Sequence, residues 1–395
     1  MLVQSMVELG SKRSCIRELF DYGIQKAREI GPENIYDYSI GNPSVPAPDA
    51  VHDAIIEIME KQSAVAIHGY TPATGTLDVR KSVSDDLNAR YGTSLRPENL
   101  FFTCGAAPAL SAVLRALAVE NSEFVILAPY FAEYPVFING AGGKPVIVPA
   151  NTETFGINIP AIEQSITAHT QAIIVNSPNN PSGVIYTREE LTALAEMLGR
   201  KGEEYGHPIY IIADEPYREL VYDNAEVPFI PTIYDNTIIC YSYSKSLSMP
   251  GERIGYVCVP DSCADSKELY YAIAGAARSN GHVCAPSLMQ KVIDSCAKVR
   301  PNVEIYDQNR KTLYEALTSY GFRCVKPNGA FYMLIEAPDG DANALSHRAK
   351  ERNLLIVPGN DFGIPAFCRL STCVSPEMIQ RSLPAFKALM DEYKK

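Results

Sequence analysis

From about residue 75 onward, short runs of continuous apolar residues alternate with stretches whose apolar positions recur every three to four residues. FFTC (101–104), FVILAP (124–129), PVIV (145–148), AIIVN (172–176), IYIIAD (209–214), TIICYS (237–242) and GYVCV (255–259) carry the first rhythm. Uninterrupted apolar strands are those buried on both faces, and amphipathic helices between them make βαβ units. The pattern therefore predicts an α/β fold with a mainly parallel sheet covered by helices. Thr187 and Glu190 form a capping box that starts the helix after AIIVN.

The two ends of the chain read differently. Residues 14–30 predict a helix with Ile16, Leu19, Phe20, Ile24 and Ala27 on one stripe, ended by Gly31-Pro32. A proline-rich loop, GNPSVPAP, leads to Pro48-Asp49, which opens a second helix with Val51, Ile55, Ile58 and Met59 on one face. Another helix is expected from near Pro108, after FFTC. Beyond Pro286, two helices (about 286–298 and 303–320) precede a hairpin-like pair, FRCVKP and AFYMLIE. A helix, a strand around Arg369 and a last helix capped by Ser375-Pro376 complete the chain. This α+β ordering predicts a large domain over 48–285 and a smaller one built from 1–47 and 286–395.

Composition narrows the function. The 395 residues carry a net charge of −11, which argues against nucleic acid, whose phosphates need clustered Lys and Arg. No run is apolar for long enough to span a bilayer, and the N-terminus lacks the pattern of a signal peptide, so a cytoplasmic protein is expected. The ten cysteines are scattered singly without a CxxC, and the six histidines are equally dispersed. Free thiols are expected, and neither disulfides nor a metal site.

Candidate chemistry clusters at strand ends, where parallel sheets bind ligands. In YSYSKSLSMPGERIGY, Lys245 stands beside Ser242 and Ser244, with Arg253 eight positions on and Gly255 after it. An amine for an imine, with hydroxyls and a guanidinium for a phosphate, suits pyridoxal 5'-phosphate. A lone lysine at a strand end would more often simply face water. Gly105-Ala106-Ala107 lets backbone N–H groups at a helix start reach a phosphate, though an ordinary tight turn looks the same. Tyr130, Phe131 and Tyr134 follow a strand, where an aromatic is usually core but could stack on a flat ring. In NSPNNPSG, the turn Asn179-Asn180-Pro181 could present the Asn180 amide to a phenolate or carboxylate. Asp214 leaves a buried strand and needs a partner, either a protonated pyridine nitrogen or a helix N-terminus, with Tyr217 three residues on. Arg369 lies in a short strand and suits bidentate capture of an α-carboxylate, or a surface ion pair. Tyr70 and Gly41, in GYTPATGTLDVR and GNP, are uninformative alone.

Taken together, the ordered set GNP, GYxPxxGxxxxR, the strand–GAA turn, PYFxxY, NxPNNPxG, ADEPY, SxSKSLSMPGERIGY and the late arginine resembles the class I/II aminotransferases. These are fold-type I pyridoxal-phosphate enzymes of the aspartate aminotransferase kind, and the match runs from about residue 14 to the end. The resemblance implies a large cofactor domain with a seven-stranded sheet, a small domain from both chain ends, and a homodimer with shared active sites. It also implies that Lys245 is the Schiff-base lysine and proton carrier, and that Asp214 pairs with the pyridine nitrogen. Tyr217 and Asn180 would bond the phenolic oxygen, and Phe131 would stack on the ring. Ala106, Ala107, Ser242, Ser244 and Arg253 would bind phosphate, joined by Tyr70 of the other subunit. Arg369 would take the substrate carboxylate with help from Asn180 and the Gly41 backbone. One departure stands out: the GAA turn lacks the hydroxyl many relatives carry, so its phosphate contacts should be backbone only.

The implied reaction exchanges an amino group between an L-amino acid and a 2-oxo acid. An aspartate- or broad-specificity enzyme using 2-oxoglutarate is the expectation. Arg278 is a candidate for reading a distal carboxylate, or else a charge on a helix's solvent face. A carbon–sulfur β-lyase would keep every residue named, because only the fate of the carbanion differs. A transcription regulator built on the same fold would need a DNA-binding module, and too few residues precede GNP to supply one.

Overall fold

The computed structural model describes residues 2–11 and 14–394. Among them the apolar runs fold as β1 Leu100–Thr103, β2 Glu123–Leu127, β3 Lys144–Val148, β4 Thr170–Asn176, β5 Tyr210–Asp214, β6 Thr237–Ser242 and β7 Gly255–Cys258. They form one seven-stranded sheet in the order β1-β7-β6-β5-β4-β2-β3. Neighbours are parallel except at β7, which runs antiparallel to both β1 and β6.

The helices used below are α1 Cys15–Ile30, α2 Ala106–Leu117, α3 Tyr134–Ala141, α4 Arg188–Tyr205, α5 Ser266–Ser279, α6 Glu304–Tyr320 and α7 Pro376–Tyr393. Strand residues alternate between two cores. Phe124 and Ile126 pack with Val113 of α2, Ile138 of α3 and Ile273 of α5. Val125 and Leu127 pack on the other face with Leu191, Leu194 and Leu198 of α4. Each such side chain contributes on the order of 1.5–3 kcal/mol through burial, which is why these strands read as unbroken apolar runs. Thr187 caps α4 with both halves of the capping box in place.

α2 begins at Ala106 rather than near Pro108. Pro108 then falls in the first turn, where its missing N–H costs nothing.

A second sheet holds β8 Tyr332–Glu336, β9 Val357–Pro358 and β10 Phe367–Ser371 in the antiparallel order β9-β10-β8. FRCVKP does not become a full partner strand: it makes the bridge Cys324–Ile335 and a few backbone bonds before Pro327 withdraws its N–H. The N-terminal segment joins these elements. Tyr36–Asp37 pairs in parallel with Leu354–Leu355, and the Tyr38 hydroxyl lies 2.7 Å from Ser382 Oγ of α7.

Two apolar stripes differ from expectation. On α1, Leu19 is buried, but Phe20 and Ile24 are 39% and 42% exposed. A Cβ at Gly23 would lie 2.7 Å from Leu355 Cδ1, so the helix leans closely on Leu355 through Gly23 and turns Phe20 and Ile24 outward. On the helix Asp49–Lys61 the inward residues are Val51, Ala54 and Ile58, and Met59 is exposed. Among the described residues no helix is long and apolar enough to cross a membrane, and the ten cysteines are free.

Candidate active site

Strand register brings the chemistry together. Asn176 at the end of β4 pairs with Asp214 at the end of β5, and Asp214 pairs with Cys240 on β6. Ser242, which closes β6, pairs with Gly255 at the start of β7, and Thr103 of β1 pairs with the same glycine. The carboxyl ends of four strands thus meet along one edge, next to the N-terminus of α2.

A cavity of about 360 Å³ opens there. Gly41, Ala106, Ala107, Phe131, Asn180, Asp214, Tyr217, Ser242, Ser244, Lys245, Arg253 and Arg369 all line it. These residues span more than 300 positions of sequence. Gly105 is not on its wall but supports it: its φ is +92°, and a Cβ there would lie 2.7 Å from Arg253 Nη2. Tyr70 is 92% exposed and lies outside the cavity in this chain. Arg278, exposed at the end of α5, also stays outside it.

One end of the cavity is made for an anion. Ser242 caps the short helix Tyr243–Ser246 by accepting from Ser244 N, and the two serine hydroxyls lie 2.7 Å apart. Arg253 reaches Ser244 Oγ at 3.4 Å and donates to the Pro250 carbonyl at 2.9 Å. Gly255 makes this possible, because a Cβ there would strike the Tyr241 carbonyl and press on the Gly105 backbone. The first N–H groups of α2 have no side-chain cap, and the helix dipole favours a negative group beside them.

The middle holds Asp214 and Lys245. Tyr134 donates to Asp214 Oδ2 at 2.5 Å, whereas Oδ1 is buried without a hydrogen-bond partner among the described residues. Burial pushes the Asp214 carboxyl up to about 7, with the Tyr134 bond opposing. Lys245 Nζ donates to the Gly41 carbonyl at 2.7 Å and sits 5.4 Å from the centre of the Phe331 ring. Burial lowers its ammonium to about 8, and the cationic Arg253 and Arg369 push the same way against the Cys373 thiol.

At the far end, Arg369 is buried, donating to Asn180 Oδ1 at 3.2 Å and to the Ser39 carbonyl at 2.6 Å. Its guanidinium lies 4.7 Å from the centre of the Tyr332 ring, and its Nε has no hydrogen-bond partner among the described residues. Asn176 holds the Asn180 backbone N–H at 2.7 Å and the Asp214 carbonyl at 2.8 Å, so the NSPNNPSG turn is tied to β5.

Several cavity residues escaped sequence reasoning. Tyr332 carries a hydroxyl 3.1 Å from that of Tyr217 and leaves no room for a side chain at Gly41. Ile16 and Ile40 reach the wall from the N-terminal segment. Tyr332 sits inside an ordinary apolar strand, AFYMLIE, and nothing local marks it out. A larger hollow of about 900 Å³ lies beside Cys104, Ser111, Phe137 and His282. It contains neither the lysine, the buried carboxylate nor Arg369, all three of which line the smaller cavity.

Pyridoxal 5'-phosphate fits this donor set. The free Asp214 Oδ1 suits a cationic ring nitrogen. Phe131, set edge-on to Tyr134 at 5.6 Å, offers an aromatic wall. Ser242, Ser244, Arg253 and the start of α2 suit a phosphate.

Comparison with known proteins points the same way. The sequence profile of the family described as aminotransferase class I and II matches residues 33–386. The probable aspartate/prephenate aminotransferase of Thermus aquaticus is 30% identical over 88% of this chain and 89% of its own. An amino transferase from Eubacterium rectale superposes with a TM-score of 0.98 at 51% identity, covering 100% of both chains. Aspartate aminotransferase from Thermus thermophilus, solved with maleate, gives 0.86 at 27% identity over 98% of this chain and 99% of its own.

Proposed function

The chain belongs to the class I and II aminotransferases, which makes it a pyridoxal-phosphate-dependent transferase, and we propose that it is of aspartate or broad specificity with 2-oxoglutarate as acceptor. The observation that carries the assignment of roles is the meeting, in one cavity, of an amine lowered to about 8, a buried carboxylate with one free oxygen, and a buried guanidinium.

In this reading Arg369 and Asn180 bind the amino acid's α-carboxylate, with the Gly41 backbone alongside. A charge-assisted, two-point grip orients the substrate so that its Cα–H faces Lys245. The Lys245 amine, about half of it neutral at pH 8 because burial lowers its ammonium, takes the proton from Cα and later returns one to the product side. When bound, pyridoxal 5'-phosphate supplies the electron sink for the charge left at Cα. Asp214 holds the proton on the ring nitrogen, which keeps that sink strong. Tyr217 and Asn180 orient the phenolic oxygen, and Phe131 fixes the plane of the ring. Ala106, Ala107, Ser242, Ser244 and Arg253 anchor the phosphate, with Gly105 giving Arg253 room.

The substrate range rests on the relatives, which are named for aspartate and prephenate. A panel of amino donors against 2-oxoglutarate, pyruvate and oxaloacetate tests it. Aspartate with 2-oxoglutarate should be among the best pairs. No turnover with 2-oxoglutarate would overturn the acceptor, and pyruvate released from cystathionine without any keto acid would favour a β-lyase.

We extend the proposal to assembly and organisation. Tyr70 is expected to complete the phosphate site of a second copy, which its exposure here supports. A fully active monomer in sedimentation would rule that out. For the division into 48–285 and a smaller unit from 1–47 with 286–395, the pairing of residues 36–37 with 354–355 supports joining the two chain ends. Met289, Val292 and Ile293 of the helix Ser287–Cys296, however, pack with Val51, Ile58 and Val83 of the larger unit and favour a boundary after that helix. A separately expressed 48–285 that failed to fold would count against the division at 285. The singly placed free cysteines support a cytoplasmic setting, which fractionation of the source cells would check.

A further inference from the structure

Asp214 is held by more than its strand. Its Oδ2 accepts from the Tyr134 hydroxyl at 2.5 Å, and its backbone carbonyl accepts from Asn176 Nδ2 at 2.8 Å. Oδ1 is buried and has no partner among the described residues. Tyr134 is 1% exposed, rooted at the first position of α3, and its ring stands at 83° to that of Phe131. One residue therefore touches both the carboxylate and the aromatic wall.

We propose that Tyr134 is a positioning residue, whose bond to Oδ2 fixes the Asp214 carboxylate and leaves Oδ1 as the one free acceptor for the cofactor's ring nitrogen. A carboxylate with a single anchored oxygen cannot rotate its open lone pairs away from the ligand. A hydrogen bond to the charged form also favours that form over the neutral acid, which could not hold a ring proton in the same way. The other titratable groups facing this pair are Tyr217, after β5, Cys240 on β6, and Tyr186 behind Tyr134. Burial raises the ionisation of Tyr217 and Cys240 well above the ordinary tyrosine and thiol values, and that of Tyr186 also rises, so these groups stay neutral near pH 7. Lys245 is the other cavity group that titrates near this range, at about 8. Among the described residues, Asp214 thus has Tyr134 as its one side-chain hydrogen-bonding support for ionisation in the cofactor-free site.

The inference rests on the cofactor reading, and one experiment separates their failures. Equilibrium dialysis measures pyridoxal 5'-phosphate binding to the stripped wild type, Tyr134→Phe, Asp214→Asn and the double variant between pH 5.5 and 8.5. A hydrogen bond to a charged group is worth enough to predict an affinity about 10- to 100-fold weaker in Tyr134→Phe. The acid limb of the affinity profile should move to higher pH in that variant, since the carboxylate loses its support. In the Asp214→Asn background the same change should cost less than about threefold, because its route of action is gone. Tyr134→His, which keeps a donor near Oδ2, should recover most of the affinity and carries the test if Tyr134→Phe does not fold. Equal losses from Tyr134→Phe in both backgrounds, an unmoved acid limb, or a Tyr134→His as weak as Asp214→Asn would overturn the proposal. A wild type that binds no pyridoxal 5'-phosphate would instead remove the cofactor reading, and this inference with it.

Discussion

Asp214→Asn should make the cofactor-free protein more stable, because the wild-type fold buries a carboxylate whose intended partner is absent. The group titrates near 3.8 when unfolded and near 7 in the fold. Between those values the folded state holds a proton that the unfolded state has released, so stability falls as pH rises from about 4 to about 7 and then levels off. At about 1.36 kcal/mol per pH unit, the full difference is about 4 kcal/mol at pH 8 and less than half of that at pH 5. Water entering the cavity relieves part of this, so a gain of about 2–4 kcal/mol at pH 8 is the working figure. Asparagine keeps the shape and can still accept from Tyr134. With unfolding entropy of about 2.1 cal/mol/K per residue over 395 residues, the melting temperature should rise by about 2–5 °C at pH 8. The assay is thermal melting of stripped wild type and variant at pH 5 and pH 8, with a urea titration as a second probe. No gain at pH 8 would refute the reasoning. So would a gain as large at pH 5, which would make it a matter of packing rather than charge.

The other predictions follow from the same cavity. Lys245→Ala should lower amino transfer by at least about 10²–10⁴-fold, and borohydride should no longer fix the cofactor to the chain; full activity would defeat the assignment. Arg369→Lys loses the two-point grip and should raise KM for the amino donor by about 10- to 100-fold with a smaller change in kcat, read from steady-state kinetics. Gly105→Ala puts a Cβ at φ +92° against Arg253, so cofactor affinity should fall about tenfold and stability by about 1–2 kcal/mol, measured by dialysis and urea unfolding. If Gly105→Ala binds the cofactor as tightly as wild type, Arg253 is not the phosphate anchor.

Much of this molecule is written locally. The unbroken apolar runs from FFTC to GYVCV had to be doubly covered strands, and the capping residues Thr187 and Ser375 each start a helix where the sequence places them. Local chemistry also flagged Lys245, Asp214, Asn180 and Arg369, because a charge or amide at the end of a buried strand is costly unless something meets it. Other features depend on elements far apart in sequence. Whether Phe20 or Leu19 faced inward was decided by Gly23 meeting Leu355, more than 300 residues away. Tyr332, an unremarkable strand residue, became part of the site because β8 lies under Arg369 and against Gly41. The lowering of Lys245 to about 8 and the free oxygen of Asp214 likewise exist only once the strands are in register, since desolvation and an unmet hydrogen bond belong to an enclosed space. Sequence alone determined which groups could do the chemistry. Burial and distance, which only the tertiary structure supplies, decided which of them are charged, which are held, and which remain open to a ligand.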